Sequence, residues 1–367
     1  MNNILLVCFN NIEFDARSQN MLKTYSDLKY KCSALHLSNH DLMIANVKIY
    51  KQPESNQYKY RQYLQFYRFV KKHLDLISPK ICIASDLLSL IAICLSSRKT
   101  KIIYDSREIY SALAGLKHKF LKQKVLSILE WYCIKFCDKI IVTAHSDREY
   151  LLSLYKKLNI EIVKNFPPLN MMPQKTNLLR QTAHVPQNSP ILLYQGALQA
   201  GRGLFEYINV ISKLSNCYLV IIGDGPIKNQ LINAAISKKV DLRVVFLSWV
   251  PYHKLLNLTA GADLGLAIIE PLSLSYYNAL PNKLFEYMLS GIPVVASNLP
   301  EIKPVLKDVR LGICIDYKNK THDVLSAVKY ILKNKKLYNS DIIQDIAKKK
   351  FVWETQTQVL VECLNES

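Results

Sequence analysis

Ile191-Leu-Leu-Tyr194-Gln-Gly196-Ala-Leu-Gln-Ala-Gly201-Arg202-Gly203-Leu204-Phe-Glu-Tyr-Ile-Asn-Val-Ile-Ser-Lys-Leu214 leads, three residues later, into Tyr218-Leu-Val-Ile-Ile222. The opening and closing runs are continuously apolar, which reads as strands buried on both faces. Between them a glycine-rich turn opens an amphipathic helix. Strand, crossover helix, strand is the unit from which parallel sheets are built.

Working outward, the same alternation fills the chain. Before this stretch the apolar runs are Ile4–Phe9, Cys32–Leu37, Ile81–Ala84, Ile102–Tyr104, Ile140–Thr143 and Ile160–Val163; after it come Val244–Leu247, Leu264–Ile269 and Ile292–Ala296. Helical patterns separate them, among them Tyr63–Leu74, Leu121–Phe136 and Ile227–Ile236. Two such series imply an α/β chain of two doubly wound, Rossmann-like domains with parallel sheets. A closed (β/α)₈ barrel would run on without a break, but Phe166 to Pro190 carries five prolines and no sustained apolar period. The expected organisation is an N-terminal domain over 1–168, a linker over 169–189, a C-terminal domain over 190–350, and a terminal helix over 351–367, with Trp353, packing back on the N-terminal domain.

Composition narrows the class. The chain has 367 residues, 50% hydrophobic and 21% charged, which excludes a disordered polypeptide and suits two domains with real cores. The run Ile4–Phe9 is too short for a signal or membrane-spanning segment. Nine cysteines without a CxxC pair argue against a disulfide framework and for a reducing, cytoplasmic setting. The formal net charge is +19. Residues 1–170 hold 26 Lys and Arg against 14 Asp and Glu, or +12, leaving +7 for the rest. Such charge suits nucleic acid, anionic lipid or a phosphorylated ligand, but no basic–aromatic nucleic-acid module appears. Lys117, Lys119, Lys122 and Lys124 precede an apolar helix face, which reads either as a site for an anionic membrane surface or as a solvated helix.

The block Asn278-Ala-Leu-Pro281-Asn282-Lys283-Leu-Phe-Glu286-Tyr-Met is richest in chemistry. Pro281 suits the first position of a helix. Lys283 and Glu286 then share its first two turns, where free N–H groups and a lysine attract an anion. A carboxylate one turn deeper suits vicinal hydroxyls such as those of ribose. The competing reading is a surface ion pair three residues apart. Gly196, Gly201 and Gly203 permit close backbone approach to a phosphate, and Arg202 supplies a multi-donor cation. The glycines of Ile222-Gly223-Asp-Gly225-Pro226 suit a sharp turn and tight packing.

Taken in order, Gly201-Arg-Gly, Ile222-Gly-Asp-Gly-Pro, Ala262-Asp-Leu-Gly-Leu and Pro281-Asn-Lys-Leu-Phe-Glu-Tyr-Met-Leu-Ser-Gly-Ile-Pro-Val-Val-Ala-Ser resemble the retaining GT-B glycosyltransferases of glycosyltransferase family 4. The resemblance implies two Rossmann-like domains facing a cleft, nucleotide-sugar bound mainly by the C-terminal one and acceptor by the N-terminal one. It implies a catalytic set of Arg202, Lys283 and Asn278, with Gly196, Gly201, Val250, Glu270, Asn282 and Glu286 binding the donor. Asn278 stands where the family has the first of two glutamates, and Glu270 is the possible substitute. Trp249 is open to two readings, stacking on a base or packing. On the acceptor side stand Asp15, Arg17, Arg107 and Glu108, with Arg107 where the family often has His. No metal or other cofactor is expected.

The implied activity is transfer of a sugar from a nucleotide-sugar to a glycan or lipid-linked acceptor in cell-surface polysaccharide assembly, with retention, in the cytoplasm or peripherally on the inner membrane face. Two alternatives stay open. One is another GT-B enzyme, either an epimerase or an inverting transferase. The other is a non-catalytic sugar-nucleotide-binding partner.

Overall fold

In a computed structural model of the full chain, residues 3–54, 59–96, 100–107, 120–155 and 158–365 are described. The chain divides into two compact units, Met1–Asn165 with Gln356–Ser367, and Phe166–Thr355.

The first unit contains β1 (Asn3–Cys8), α1 (Ala16–Asp27), β2 (Lys31–Leu37), β3 (Val47–Gln52), α2 (Lys59–Ile77), β4 (Ile81–Ala84), α3 (Leu87–Ser96), β5 (Lys101–Ser106), α4 (Phe120–Ile134), β6 (Lys139–Val142), α5 (His145–Leu154) and β7 (Ile160–Ile162). Its strands form a seven-stranded parallel sheet in the order β3-β2-β1-β4-β5-β6-β7. The second unit contains α6 (Leu178–Thr182), β8 (Ile191–Gln195), α7 (Leu204–Ser212), β9 (Tyr218–Ile222), α8 (Lys228–Ser237), β10 (Val244–Leu247), α9 (Tyr252–Thr259), β11 (Leu264–Ala267), α10 (Leu274–Tyr277), α11 (Asn282–Leu289), β12 (Val294–Ser297), β13 (Gly312–Ile315), α12 (Lys320–Lys333) and α13 (Ser340–Lys350). Its six parallel strands run β10-β9-β8-β11-β12-β13. A last helix, α14 (Thr357–Leu364), returns to the first unit.

The expected α/β class, with two doubly wound parallel sheets, is the one observed. In each sheet the order reverses beside the first strand, between β1 and β4 and between β8 and β11. Loops leaving the carboxyl ends of strands diverge at such a reversal, which is where open α/β sheets hold ligands.

Two strands lie outside the apolar runs singled out from the sequence, and both are edges. In β3 half-buried residues alternate with lysines because one side of the strand is unpaired. Strand β13 is only four residues long and begins at Gly312. The stretch 169–189 is not a free linker: Leu179, Ala183 and Val185 are buried in the core of the second unit, and Phe166 stacks edge-on with Phe285 at 4.5 Å between ring centroids. Its prolines interrupt periodicity without interrupting packing.

The return to the first unit falls at Gln356 rather than at 351. Phe351 packs on Phe285, and the Trp353 N–H donates to the Pro167 carbonyl at 2.9 Å, so both stay with the second unit. The end of α14 is held to the first unit by lysines. Lys139 Nζ donates to the Glu362 carbonyl at 3.2 Å and Lys101 Nζ to the Asn365 carbonyl at 2.6 Å, a favourable place for cations at a helix C-terminus.

Candidate active site

The second unit gathers most of the singled-out residues around the carboxyl end of β8. Past Gln195 the backbone takes positive φ at Gly196 (126°), Gly201 (80°) and Gly203 (68°). Gly223, at φ 145°, closes β9 so tightly that a Cβ there would lie 2.1 Å from the Gly196 carbonyl oxygen. A Cβ on Gly225 would lie 2.4 Å from the Leu198 carbonyl oxygen. The two glycine turns thus support one another, with the second buttressing the first.

Helix α11 begins at Asn282, with Pro281 one position earlier than expected, as the cap residue itself. No side chain caps it, and the Leu284 N–H donates to the Pro281 carbonyl at 3.0 Å, so the N–H groups of Asn282 and Lys283 are the open ones. Lys283 reaches from this first turn toward the β8 loop. Its Nζ lies 3.7 Å from the Tyr194 ring centroid, and a Cβ on Gly196 would meet it at 3.2 Å. Arg202 stacks on Tyr276, with 4.6 Å from guanidinium carbon to ring centroid. Burial, and then the nearby Arg202 charge, hold the Lys283 ammonium well below the usual lysine range. Neither cation forms an ion pair with a carboxylate among the described residues. Two opposed cations beside open helix N–H groups and glycine backbone attract a polyanion.

Glu286 lies one turn deeper and is buried, so it is no surface partner of Lys283. Its carboxylate accepts from Gln195 Nε2 at 2.5 Å and is also hydrogen-bonded by the Tyr252 hydroxyl. Burial raises its pKa, against the opposing pull of these donors and of Lys283. Gln195 is itself fixed: its Oε1 accepts from Thr259 Oγ1 at 2.8 Å and its N–H donates to the Tyr287 hydroxyl at 3.1 Å. Gln195, Tyr194, Tyr252 and Thr259 escaped the sequence reading. One signal was present, an amide at the carboxyl end of an otherwise apolar buried strand.

The remaining donor-side candidates are spread over the loops after β10 and β11. Val250 is half-buried just before α9, and Trp249 beside it is 62% exposed. Asn278 is buried at the C-terminal cap of α10. Asn282 is exposed. Glu270 donates its N–H to the Gly201 carbonyl at 2.9 Å, while its carboxylate pairs with Lys320 Nζ at 3.7 Å.

In the first unit Asp15, Arg17 and Arg107 also come together, around Asp105 at the end of β5. Arg17 is a correction to the expected acceptor face. It is 3% exposed and its donors are taken, Nε and Nη2 by Asp105 and Nη1 by the Val163 carbonyl at 2.7 Å. Arg107 Nε donates to Asp105 at 2.7 Å, Nη1 to Asp15 at 2.5 Å and Nη2 to Ser18 Oγ at 2.8 Å. Burial works against ionising Asp105, yet the two guanidiniums hold its carboxyl below the usual carboxylate range. Asp15 Oδ1 also accepts from the Ser18 N–H, capping α1. This is a closed network whose main effect is to fix the loop after β1. Glu108 lies outside the described residues, as do Lys117 and Lys119. No group of three His, Cys, Asp or Glu suited to a metal ion occurs among the described residues.

Residues 175–348 match the family described as glycosyl transferases group 1. The chain is 21% identical over 266 residues to the chitobiosyldiphosphodolichol beta-mannosyltransferase of Candida albicans, covering 66% of this chain and 57% of that protein. It spans about half the length of the curated relatives it matches. Among solved structures, sucrose-phosphate synthase from Thermosynechococcus elongatus superposes with a TM-score of 0.82 at 13% identity, covering 99% of this chain and 98% of that one. Anabaena HepE, solved with UDP and glucose, superposes with a TM-score of 0.76 at 16% identity, covering 99% of each. The chain therefore has the GT-B fold, and its likeness to the glycosyl transferases group 1 family lies in residues 175–348.

Proposed function

We propose that the protein is a glycosyltransferase moving a sugar from a nucleotide-sugar, bound by the second unit, to a glycan or lipid-linked acceptor in cell-surface polysaccharide assembly. The observation that carries this reading is the Arg202–Lys283 pair, two cations without a carboxylate partner among the described residues, set at the open N-terminus of α11 over the buried Glu286. The binding of UDP by HepE and the lipid-linked substrate in the name of the Candida relative support the two substrate classes.

In this reading Arg202, Lys283 and the first N–H groups of α11 take the diphosphate and stabilise the charge that grows on it as the glycosidic bond breaks, the largest contribution such a site makes. Glu286, oriented by Gln195 and Tyr252, receives the ribose hydroxyls, and Asn278 or Glu270 orients the sugar. Asn278 supplies hydrogen bonds but no negative charge to a developing oxocarbenium ion. Front-face attack, with the leaving phosphate as base for the acceptor, gives retention. The enzyme works in the cytoplasm without a metal ion.

A thermal-shift screen of UDP-, GDP-, ADP- and CMP-sugars identifies the donor, and turnover of that donor with and without EDTA tests the metal-free step. Activity that vanishes in EDTA overturns that part. NMR of the product anomeric centre decides between retention and inversion.

A further inference from the structure

Helix α4 leaves the wrong side of itself in water. Its inward face carries Glu130, Cys133 and Ile134, all buried, with Leu126 packed against the same core. The opposite face is apolar as well: Leu121 is 78% exposed, Val125 56% and Ile128 54%, with Leu129, Tyr132 and, just past the helix, Phe136 continuing the row. At 3.6 residues per turn these six positions fall within one stripe of about 100°. An amphipathic helix of a monomeric domain normally turns such a stripe inward.

The charges beside the stripe say what covers it. Lys124 and Lys135 are exposed along its edge. Glu130, the one acidic residue between 120 and 137, points into the core. The next acid, Asp138, is committed to the Ile102 N–H at 2.7 Å. The outward face of α4 is therefore apolar with a purely cationic edge. Lys135 Nζ lies over the Trp131 ring, 3.2 Å from its centroid, and Tyr132 meets Phe136 edge-on at 5.2 Å. Aromatic rings with an apolar body and a polar tip, next to lysines, suit the boundary between headgroups and acyl chains.

A second copy of the chain fits poorly. A two-fold interface packing α4 antiparallel on its copy would bring Lys124 and Lys135 of both copies to one side, and like charges disfavour that pairing. An anionic bilayer offers both what the stripe needs and what the lysines need. No helix among the described residues is long and apolar enough to cross a membrane.

We propose that α4 is a membrane-docking helix, lying in the surface of an anionic phospholipid bilayer with Leu121, Val125, Ile128, Leu129, Tyr132 and Phe136 inserted and Lys124 and Lys135 on the headgroups. This goes further than attraction to lysines alone, because the apolar row supplies the insertion. It is independent of the donor reading.

The test is co-sedimentation of the full chain with phosphatidylcholine–phosphatidylglycerol vesicles and with phosphatidylcholine vesicles. The wild type binds the anionic vesicles, and phosphatidylcholine alone about tenfold or more weakly. The Val125→Asp/Ile128→Asp double variant, or Leu121→Asp at the exposed end should the double variant misfold, loses about tenfold in binding. Lys124→Glu/Lys135→Glu does the same. Brominated lipid quenches the tryptophan emission of the wild type more than that of Trp131→Phe. Donor-dependent thermal shift is unchanged in each folded variant, whereas Lys283→Ala loses that shift and still binds vesicles. Equal sedimentation of wild type and Val125→Asp/Ile128→Asp overturns the proposal. So does a dimer in analytical ultracentrifugation that the same substitutions dissolve, which would make the stripe a self-association face.

Discussion

At the residue scale, the site turns on which buried charges have partners. Glu286 is anchored from two directions, whereas Lys283 has a ring beneath it and a cation beside it. In the proposed function a diphosphate supplies what Lys283 lacks. Lys283→Ala is expected to lower kcat/KM for the nucleotide-sugar by about 10²–10³, the cost of removing one donor from a site that stabilises developing charge. Because burial and Arg202 lower the Lys283 pKa, donor affinity falls as the pH rises through that lowered value. Lys283→Arg, whose guanidinium stays charged, moves the fall to higher pH, and titration of donor binding against pH reads the difference. Lys283 and Glu286 could be placed together on the first two turns of one helix because Pro281 marks its start, and Arg202 stood out in a glycine-rich turn after a strand. Gln195 was not, because its role depends on Thr259 and Glu286, 64 and 91 residues away. Arg17 was misread for a related reason: that it points inward follows from Asp105 and Val163, which only the fold brings to it.

At the scale of elements, two features have measurable consequences. The β9 turn depends on Gly223, where an L side chain is strained by φ 145° and blocked by the Gly196 carbonyl. Gly223→Ala is expected to cost about 1–3 kcal/mol in urea denaturation and to weaken donor binding by displacing the β8 loop. Beneath α4, burial raises the Glu130 carboxyl from its ordinary 4.5 to about 7, only partly opposed by the Tyr104 hydroxyl at 3.1 Å. Between those two pH values the native protein holds a proton that the unfolded chain has released, so stability falls as pH rises through this window and levels off above it. The loss is on the order of 3 kcal/mol at most. In Glu130→Gln, denaturation at about pH 5 and at about pH 8 should show a smaller difference than in wild type. An unchanged difference would mean that Glu130 is not the group holding the proton. The central strands were readable as continuous apolar runs, while β3 was not, because its unpaired edge keeps lysines, and β13 was not, because it is four residues long and begins at a glycine.

At the scale of the whole molecule, the alternation of strands and helices was enough to read two parallel sheets, and both are present. The division of the chain was harder to read. Prolines between 166 and 190 imitate a linker, yet Leu179 and Val185 are core residues, and the chain crosses back to the first unit only after Trp353. The +19 charge also resolves into parts with different work. Arg202 and Lys283 stand at the proposed diphosphate site, and Lys124 and Lys135 edge the apolar face of α4. The claim that joins the parts is sugar transfer from a nucleotide-sugar held by the second unit. It is tested most directly by measuring nucleoside diphosphate release from the donor identified in the thermal-shift screen, for wild type and Lys283→Ala, with and without a glycan or lipid-linked acceptor. Release should depend on acceptor and drop by about 10²–10³ in the variant. Release that ignores the acceptor, or that survives the loss of Lys283 intact, would contradict it.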